Sequence, residues 1–300
     1  MMFKNYGLSF FFFNFIQSNM NSDKSKITVN CKIEFGYELQ LYIPYAYYLH
    51  IHNRLEKTIS SKFTRELYYF SDNHEEKYTV RTYEYPDQRL PNKDLHTENF
   101  QFISWIPPPY KQIFKNTTFI YEKPLLVIHN KFNIEWGENP INYLDIPTLE
   151  NIFLNCNDKY KIVYIRPSSN LIIDDNSDIQ QLNESEILKK YSITSGETLF
   201  HEHKNICNNF NHFQLMLYAN CEHFISVQGG SSYLCSFFGG KNIIYVKKGK
   251  ELLSGAYKKV FPKFSNCNVL YADNYKDFLN LITNNYVSNA NLESQSTKNR

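Results

Sequence analysis

The stretch that decides the fold runs from residue 224 to residue 246 and reads FISVQGGSSYLCSFFGGKNIIYV. Its first four residues predict a buried strand, the glycines and serines after them a turn, and residues 233–238 a helix. A second Gly-Gly pair ends that helix, and residues 242–246 predict the next strand. A strand, a helix and a second strand in so short a span are typical of a doubly wound sheet.

Strand-like and helix-like segments alternate along the rest of the chain as well. Further strands are predicted at residues 27–33, 125–129, 161–165, 197–200 and 268–272. Helices are predicted at residues 37–49, where Pro44 is tolerated or bends the helix, and at 145–156, 209–219 and 275–282. This alternation indicates α/β layers. The predicted fold class is α/β, with two Rossmann-like domains that face a cleft.

The chain length of 300 residues fits two domains of roughly 150 residues each, or one large domain. We expect a tail at residues 1–24, an N-terminal α/β domain at 25–145, a C-terminal α/β domain at 146–286 and a polar tail at 287–300. Whether residues 1–19 belong to the mature protein stays open, because Met20 could be the start.

The charge balance and the cysteine content restrict the classes of binding partner and the cellular compartment that fit this protein. The 32 Lys and Arg against 30 Asp and Glu give a net charge of +2, which argues against a nucleic-acid partner. Six cysteines without zinc or disulfide spacing indicate free thiols in a reducing, cytoplasmic compartment. Residues 8–16 (LSFFFFNFI) are apolar but too short to span a bilayer, so weak membrane association through them is the alternative.

The glycine turn, defined as residues 228–232, carries the first chemical signal. After a buried strand, Gly229 and Gly230 let the backbone pass close to a ligand because neither has a Cβ. Ser231 or Ser232 can cap the following helix, and free backbone N–H groups there suit an anion such as a diphosphate. A tight strand-to-helix turn that needs glycine only for its geometry fits the same residues.

Polar residues after predicted strands are expected at the carboxyl edge of a sheet, where open α/β folds bind ligands. Arg166 could pair with phosphates through two N–H groups, and Glu251 could bind a ribose diol. His201 could serve as a general base toward an acceptor hydroxyl. A surface arginine, a solvated glutamate and an exposed histidine are the competing interpretations.

The first half of the chain offers two further carboxylates. Residues 34–38 (EFGYE) follow the first strand, and Gly36 permits close approach of a ligand. Glu38 in this segment, and Glu135 after the strand at 125–129, are candidates for the same basic role as His201.

Several well-known catalytic motifs are missing from the sequence. It contains no serine nucleophile elbow, Walker loop, His-Glu-x-x-His helix or Gly-x-Gly-x-x-Gly turn. These absences argue against a hydrolase, an NTPase, a zinc protease and a dehydrogenase. The aspartates at 174, 175 and 178 lack a strict Asp-x-Asp and are interpreted as solvated carboxylates, so no metal site is predicted.

Taken together, residues 219–232 and 238–240 resemble the donor-side motif of GT-B-type glycosyltransferases. Residues 162–167 (IVYIRP) resemble the opening strand of the C-terminal domain in that family. His129-Asn130-Lys131 with Glu135-Trp136 resembles the end of the N-terminal, acceptor-side domain in glycosyltransferases of bacteria and large DNA viruses. The resemblance covers roughly residues 125 to 272.

The resemblance implies transfer of a sugar, of the hexosyl or deoxyhexosyl class, from a nucleotide-diphosphate donor to a hydroxyl of a glycan or protein. It implies a nucleotide sugar as co-substrate and neither a further cofactor nor an obligatory metal. Carried over by position, Arg166, Gly229, Gly230, Ser231 and Ser232 would hold the donor phosphates. Gln228, beside them in the glycine turn, and Glu251, the candidate for a ribose diol, complete the predicted donor-binding set. The base is not assigned by the family pattern, so Glu38, Glu135 and His201 remain candidates without an order.

Two alternatives stay open at this point. A non-catalytic carbohydrate- or nucleotide-binding module would keep the fold without turnover. A sulfotransferase-like enzyme would need a phosphate-loop lysine, which the sequence does not place. The sugar, the nucleotide, the acceptor, the stereochemical course and the oligomeric state are not set by these residues.

Overall fold

Two parallel β-sheets organise the chain in the computed structural model, which describes residues 25–82, 87, 89–92, 100–134, 137–174 and 177–288. The apolar segment 8–16, Glu135, Asp175 and the tail beyond residue 288 lie outside the described residues. The α/β class predicted from the alternation of segments is confirmed.

The first sheet has three parallel strands in the order β1 (Ile27–Asn30), β2 (Leu55–Ser61) and β3 (His74–Tyr78). One long helix, α1, crosses from β1 to β2. It is built from Phe35–Tyr37, a π-helical turn at Glu38–Tyr42 and a final segment at Ile43–Ile51. A 3-10 turn at Arg65–Tyr68 connects β2 to β3.

Pro44 explains why α1 contains a π-helical turn. Proline has no N–H, so it cannot donate to the carbonyl of Gln40 four residues earlier. That carbonyl accepts instead from the indole Nε1 of Trp105 at 2.6 Å. The N–H of Ile43 reaches back five residues to the carbonyl of Glu38. Proline is therefore tolerated because the local hydrogen bonding is rearranged around it.

The second sheet has six parallel strands. In chain order they are β4 (Leu125–His129), β6 (Lys161–Ile165), β8 (Thr194–Ser195), β9 (His223–Val227), β10 (Lys241–Tyr245) and β11 (Asn268–Ala272). The short strands β5 (Asn133–Ile134) and β7 (Asp178–Ile179) form a separate antiparallel pair. Across the sheet the order is β8-β6-β4-β9-β10-β11. The first three strands thus run outward in one direction and the last three in the other, which confirms a doubly wound sheet.

The position of β4 corrects the predicted division of the chain at residue 145. That division put residues 125–129 in an N-terminal domain, but β4 lies at the centre of the second sheet, paired with β6 and β9. All five of its residues are buried, as expected for a central strand covered on both faces. The change from the first sheet to the second therefore falls between Tyr78 and Leu125.

Helices cover both faces of the second sheet. Their bounds are α2 (Tyr110–Ile113), α3 (Ile146–Cys156), α4 (Ser185–Lys190), α5 (Gly196–Glu202), α6 (Phe210–Ala219), α7 (Gly230–Ser236), α8 (Lys250–Leu253), α9 (Ala256–Lys259), α10 (Pro262–Ser265) and α11 (Tyr275–Ile282), the last continued by a π-helical turn at Thr283–Val287. Helices α3 and α11 pack on one face, where Leu126 and Ile128 point, while α6 and α7 pack on the other with Val127.

The two sheets share one hydrophobic core. Val29 of β1 and Leu39 of α1 belong to the same buried cluster as Val127 of β4 and Phe224 of β9. The six cysteines are free and buried, as predicted. Within the described ranges, no helix combines the length and the hydropathy that crossing a bilayer requires.

Candidate functional site

A crevice opens where the strand order of the second sheet reverses, between the carboxyl ends of β4 and β9. Chains leaving two such strands turn to opposite faces of the sheet, so a gap forms between them, and ligands of open α/β folds bind there. Asn130 and Lys131 follow β4, and the glycine turn follows β9. The Nζ of Lys131 donates to the Oε1 of Gln228 at 3.1 Å, so the two loops meet across the crevice.

The glycine turn needs its glycines for both conformation and space. Gly229 has a φ of 122°, which side-chain-bearing residues rarely adopt. A Cβ on Gly230 would lie 2.9 Å from Cδ1 of Phe35. A Cβ on Gly36 would lie 3.9 Å from the Cα of Gly230, so the turn after β1 and the glycine turn touch each other. The two halves of the chain therefore meet at small residues, next to the crevice.

The two serines of the turn have different roles. Ser232 is fully buried, and its hydroxyl donates to the carbonyl of Gly229 at 2.8 Å. Its own carbonyl accepts from Nδ2 of Asn242 at 3.1 Å, so Ser232 stabilises the turn from inside. Ser231 is half-buried and lines the crevice.

One end of the crevice, the basic cavity, has a volume of about 540 Å³. Its described lining contains four basic side chains and the single carboxylate of Glu34; the basic ones are Lys62, Arg81, Lys131 and Arg166. They come from both halves of the chain. Arg81 and Arg166 are also paired with Glu38 and Glu184. The four basic side chains still outnumber these two carboxylates and Glu34, and a remaining positive charge beside a glycine-rich turn suits an anionic ligand.

The other end, the aromatic cavity, has a volume of about 370 Å³. Its walls include Tyr37, Tyr233 and Leu253, with Gln40 and Glu251 as polar groups. The two cavities share Glu34, Gly36, Gln228, Gly229 and Gly230. They are therefore two ends of one cleft, with the glycine turn between them.

Glu251 is fixed at the aromatic end by buried donors. Nε2 of Gln228 donates to both of its carboxylate oxygens, at 3.2 and 3.1 Å. The hydroxyl of Tyr233 donates to Oε1 of Glu251 at 3.2 Å. Burial and this carboxylate raise the pKa of Tyr233 well above its ordinary value, so the phenol stays protonated and remains a donor.

Asn142 holds the loop that carries Glu251. Its side-chain oxygen accepts from the backbone N–H groups of Lys247 and Lys248, at 2.9 and 3.1 Å. Its Nδ2 donates to the carbonyl of Lys248 at 2.8 Å and to Oε1 of Gln228 at 3.2 Å. One buried amide thus connects the loop after β10 to the glycine turn.

His129 ends β4 at the floor of the basic cavity. Burial, together with the nearby charge of Lys131, lowers the pKa of His129 to about 3. Its Nε2 lies 3.3 Å from Nε2 of Gln214, and its buried Nδ1 has no hydrogen-bond partner among the described residues. The ring is therefore neutral at physiological pH.

Most of the predicted donor residues are brought together by the fold. Arg166 follows β6 and lines the basic cavity, although its Nε also donates to Oε1 of Glu184 at 2.6 Å. Gln228, Gly229, Gly230 and Ser231 line the same cavity, while Ser232 lies behind it. Glu251 faces the aromatic cavity.

The predicted bases fall elsewhere. Glu38 is fully buried and lines neither cavity; it is paired with Nη1 of Arg81 at 2.6 Å and accepts from the hydroxyl of Tyr68 at 2.9 Å. His201 is exposed on α5, 3.8 Å from Glu197, because residues 197–200 form a helix where a strand was predicted. Glu135 lies outside the described residues.

Glu34, which lines both cavities, is not among the site residues predicted from the sequence. Its signal was present in residues 34–38, where Gly36 indicates close approach. A helix begins at Phe35, and its first turns carry Glu38 away from the cleft into the core. Lys62 and Arg81 had no comparable signal, because they reach the crevice only through the packing of the first sheet on the second.

Among known proteins, the chain is similar to solved structures. No protein-family model matches the chain, and no curated protein matches it. The fold is similar to that of the E. coli ADP-heptose LPS heptosyltransferase II, with a TM-score of 0.48 and 11% identity over 86% of this chain and 98% of that one. It is also similar to a family 9 glycosyltransferase from Veillonella parvula DSM 2008, with a TM-score of 0.47 and 9% identity over 87% and 89% of the two chains. The wall teichoic acid polymerase TagF gives a TM-score of 0.31 at 9% identity, over 84% of this chain and 61% of that one.

Proposed function

We propose that this protein is a glycosyltransferase that moves a sugar from a nucleotide-diphosphate donor to a hydroxyl of a glycan or protein acceptor. The observation that carries the proposal is the glycine turn at the reversal of strand order, which opens onto a cavity lined by four basic side chains. The resemblance of residues 219–232 to a donor-side motif supports the same assignment.

Binding of the donor diphosphate is the first task of the site. Gly229 and Gly230 let the phosphates approach the backbone, and Lys131 and Arg166 supply positive charge from the two neighbouring strands. When the bond between the anomeric carbon and the diphosphate breaks, negative charge grows on the leaving oxygen. Fixed cations and amides at that point stabilise the transition state more than the ground state.

Activation of the acceptor hydroxyl is the second task. As the acceptor oxygen bonds to the anomeric carbon, its proton must pass to a base. Glu34 is the carboxylate shared by both ends of the cleft, and we assign it that role. Glu38 is held by Arg81 in the core and His201 points to solvent, so neither side chain touches the cleft.

Turnover with a panel of nucleotide sugars and hydroxyl acceptors tests the proposal, with release of the nucleoside diphosphate as the readout. Lys131→Ala and Arg166→Ala are each expected to reduce turnover about 10- to 1,000-fold, as loss of transition-state donors does. Glu34→Gln is expected to reduce it about 100-fold or more, as loss of a general base does. Lys189→Ala, at an exposed position of α4, is the matched control and should leave turnover unchanged.

Two outcomes would count against this proposal. Full activity in Lys131→Ala and Arg166→Ala would show that the donor phosphates bind elsewhere. Tight nucleotide binding without release of product from any donor and acceptor pair would favour a non-catalytic binding module instead.

Because the proposed leaving-group stabilisation uses side-chain cations, EDTA is expected to leave turnover unchanged.

A further inference from the structure

The side chain of Gln40 is a buried polar group at the edge of the aromatic cavity. Only 2% of the residue is exposed, and its side chain lines that cavity. Its Oε1 has no hydrogen-bond partner among the described residues. Buried side-chain amides are nearly always paired, because an unpaired one loses its hydrogen bonds to water without replacement. A partner from outside the chain is the physical way to restore the balance.

The surroundings of Gln40 restrict the chemistry of that partner. Tyr37, Tyr233 and Leu253 give the cavity apolar surfaces, and Leu253 is 86% exposed at its mouth. The carboxylate of Glu251 lines the same cavity, bonded to Gln228 of the glycine turn, and is an acceptor for hydroxyl groups. A ligand with a flat apolar face, a polar edge and adjacent hydroxyls matches these walls.

We infer that the aromatic cavity takes the nucleoside of the donor, and that the carboxamide of Gln40 hydrogen-bonds to the edge of its base. This inference rests on the proposed function and extends it to the nucleotide. A primary amide offers an acceptor and donors side by side, which complements bases that present a neighbouring donor and acceptor, such as N3–H and O4 of uracil or N6–H and N1 of adenine. The ribose then lies at Glu251 and the diphosphate at the glycine turn.

The geometry of α1 makes this contact available. Helix α1 begins against the glycine turn, where Gly36 and Gly230 approach each other. Its π-helical turn around Pro44 places Gln40 on the cleft side, while the backbone carbonyl of Gln40 is held by Trp105. Helix α1 thus contributes a base-contacting residue to a nucleotide site whose phosphate end is built on the second sheet.

Calorimetric titration of the full chain distinguishes the contribution of the nucleobase to binding affinity from that of the phosphates. The probes are UDP, ADP, GDP, CDP and inorganic pyrophosphate. We expect one nucleoside diphosphate to bind at least 10-fold more tightly than pyrophosphate. Gln40→Met keeps the side-chain volume and removes the amide, so it should weaken that nucleotide about 10-fold and leave pyrophosphate within about 2-fold. Gln112→Met, at an exposed position of α2, is the control and should change neither.

Thermal denaturation shows whether Gln40→Met is folded. If it is not, a second variant tests the same cavity. Leu253→Ser changes an exposed residue at the cavity mouth and should weaken the same nucleotide about 3-fold without affecting pyrophosphate.

The inference is overturned if Gln40→Met folds and binds the nucleotide as tightly as the wild type. It is equally overturned if the variant weakens only the complete nucleotide sugar and not the free diphosphate, because the cavity then holds the sugar. If the wild type binds pyrophosphate as tightly as every nucleotide, the inference fails while the phosphate site stands. If it binds none of the five probes, the donor site of the proposed function fails as well.

Discussion

Glu38 and Arg81 form an ion pair in the core, with 0% and 4% of their side chains exposed. Their charges are 43 positions apart in the chain, and each is also bonded to its surroundings: Tyr68 donates to the carboxylate, and the guanidinium donates to the carbonyl of Ile33 at 3.0 Å. Such a pair connects α1 to the segment after β3. Removing one partner leaves the other charge buried without compensation.

Glu38→Gln is therefore expected to lower the free energy of unfolding by about 3–5 kcal/mol, measured by urea denaturation. Glu75→Gln removes a carboxylate from the exposed pair with Lys57 and is the matched control, for which no measurable change is expected. A loss of similar size in both variants would contradict a special role for the buried pair.

His129 predicts how stability depends on pH. Its folded pKa of about 3 lies below the ordinary value of 6.5, so between these pH values the unfolded chain binds a proton that the folded chain does not. Stability is then fully present above pH 6.5 and is lost as the pH falls toward 3. His74, whose pKa burial lowers to about 4, acts in the same direction.

His129→Gln should reduce the slope of unfolding free energy against pH by about 1.4 kcal/mol per unit between pH 6 and pH 4.5, since one proton is removed from the linkage. Urea denaturation at three pH values in this range measures it. An unchanged slope would mean that His129 is protonated in the folded protein or contributes nothing to the difference.

Among the elements, the central strands of the second sheet were predictable because they are covered on both faces. Fully buried parallel strands appear as unbroken apolar runs, as in LLVIH, KIVYI and NIIYV. The strands β2 and β3 (LEKTISS and HEEKY) are polar and partly exposed, so no such run marks them. The helix α5 was predicted as a strand because its N-cap, where Ser195 accepts from the N–H of Thr198 at 3.0 Å, was not recognised.

The candidate site was predictable only where it is local in the chain. The glycine turn and Arg166 follow strands that the sequence marks clearly, and their position at a sheet edge follows from topology. Lys62, Arg81 and Gln40 reach the cleft through the packing of α1 and the first sheet, which no short motif encodes. For the same reason Glu38, and not Glu34, was among the three candidate bases.

Asn142 gives a prediction about the loop after β10. Asn142→Ala removes the hydrogen bonds to Lys247, Lys248 and Gln228, so residues 247–251 are expected to exchange amide hydrogens faster. Hydrogen–deuterium exchange with mass spectrometry measures this, and nucleotide affinity should fall in parallel because this loop carries Glu251. Asn155→Ala, on the exposed side of α3, is the control. Equal exchange in both variants would contradict the role of Asn142.

At the scale of the whole molecule, the shared core predicts that the two sheets unfold together. Trp105 is the reporter, because it is buried, donates to Gln40 of α1 and contacts Phe264 of α10 with ring centroids 5.2 Å apart. In a Trp136→Phe background Trp105 is the single tryptophan. Its fluorescence and the far-UV circular dichroism should change at the same urea concentration. Two separated midpoints would show that the sheets are independent.

The cleft is likewise a property of the whole chain, since each of its ends combines residues of α1 with residues of the glycine turn. We propose that a nucleoside diphosphate lies against the glycine turn in this cleft. The chain has ten glycines, so selective labelling with 15N-glycine yields a backbone spectrum simple enough to assign by single substitutions. The nine described glycines divide between the cleft and the rest of the molecule.

On saturation with a nucleoside diphosphate, we expect the signals of Gly36, Gly229, Gly230 and Gly249, which line the cleft, to shift. The signals of glycines elsewhere should stay unchanged, with Gly196 and Gly240 as internal controls, since neither lines either cavity. Shifts confined to glycines outside the cleft, or no shift at any nucleotide concentration, would show that the nucleotide does not bind at the glycine turn.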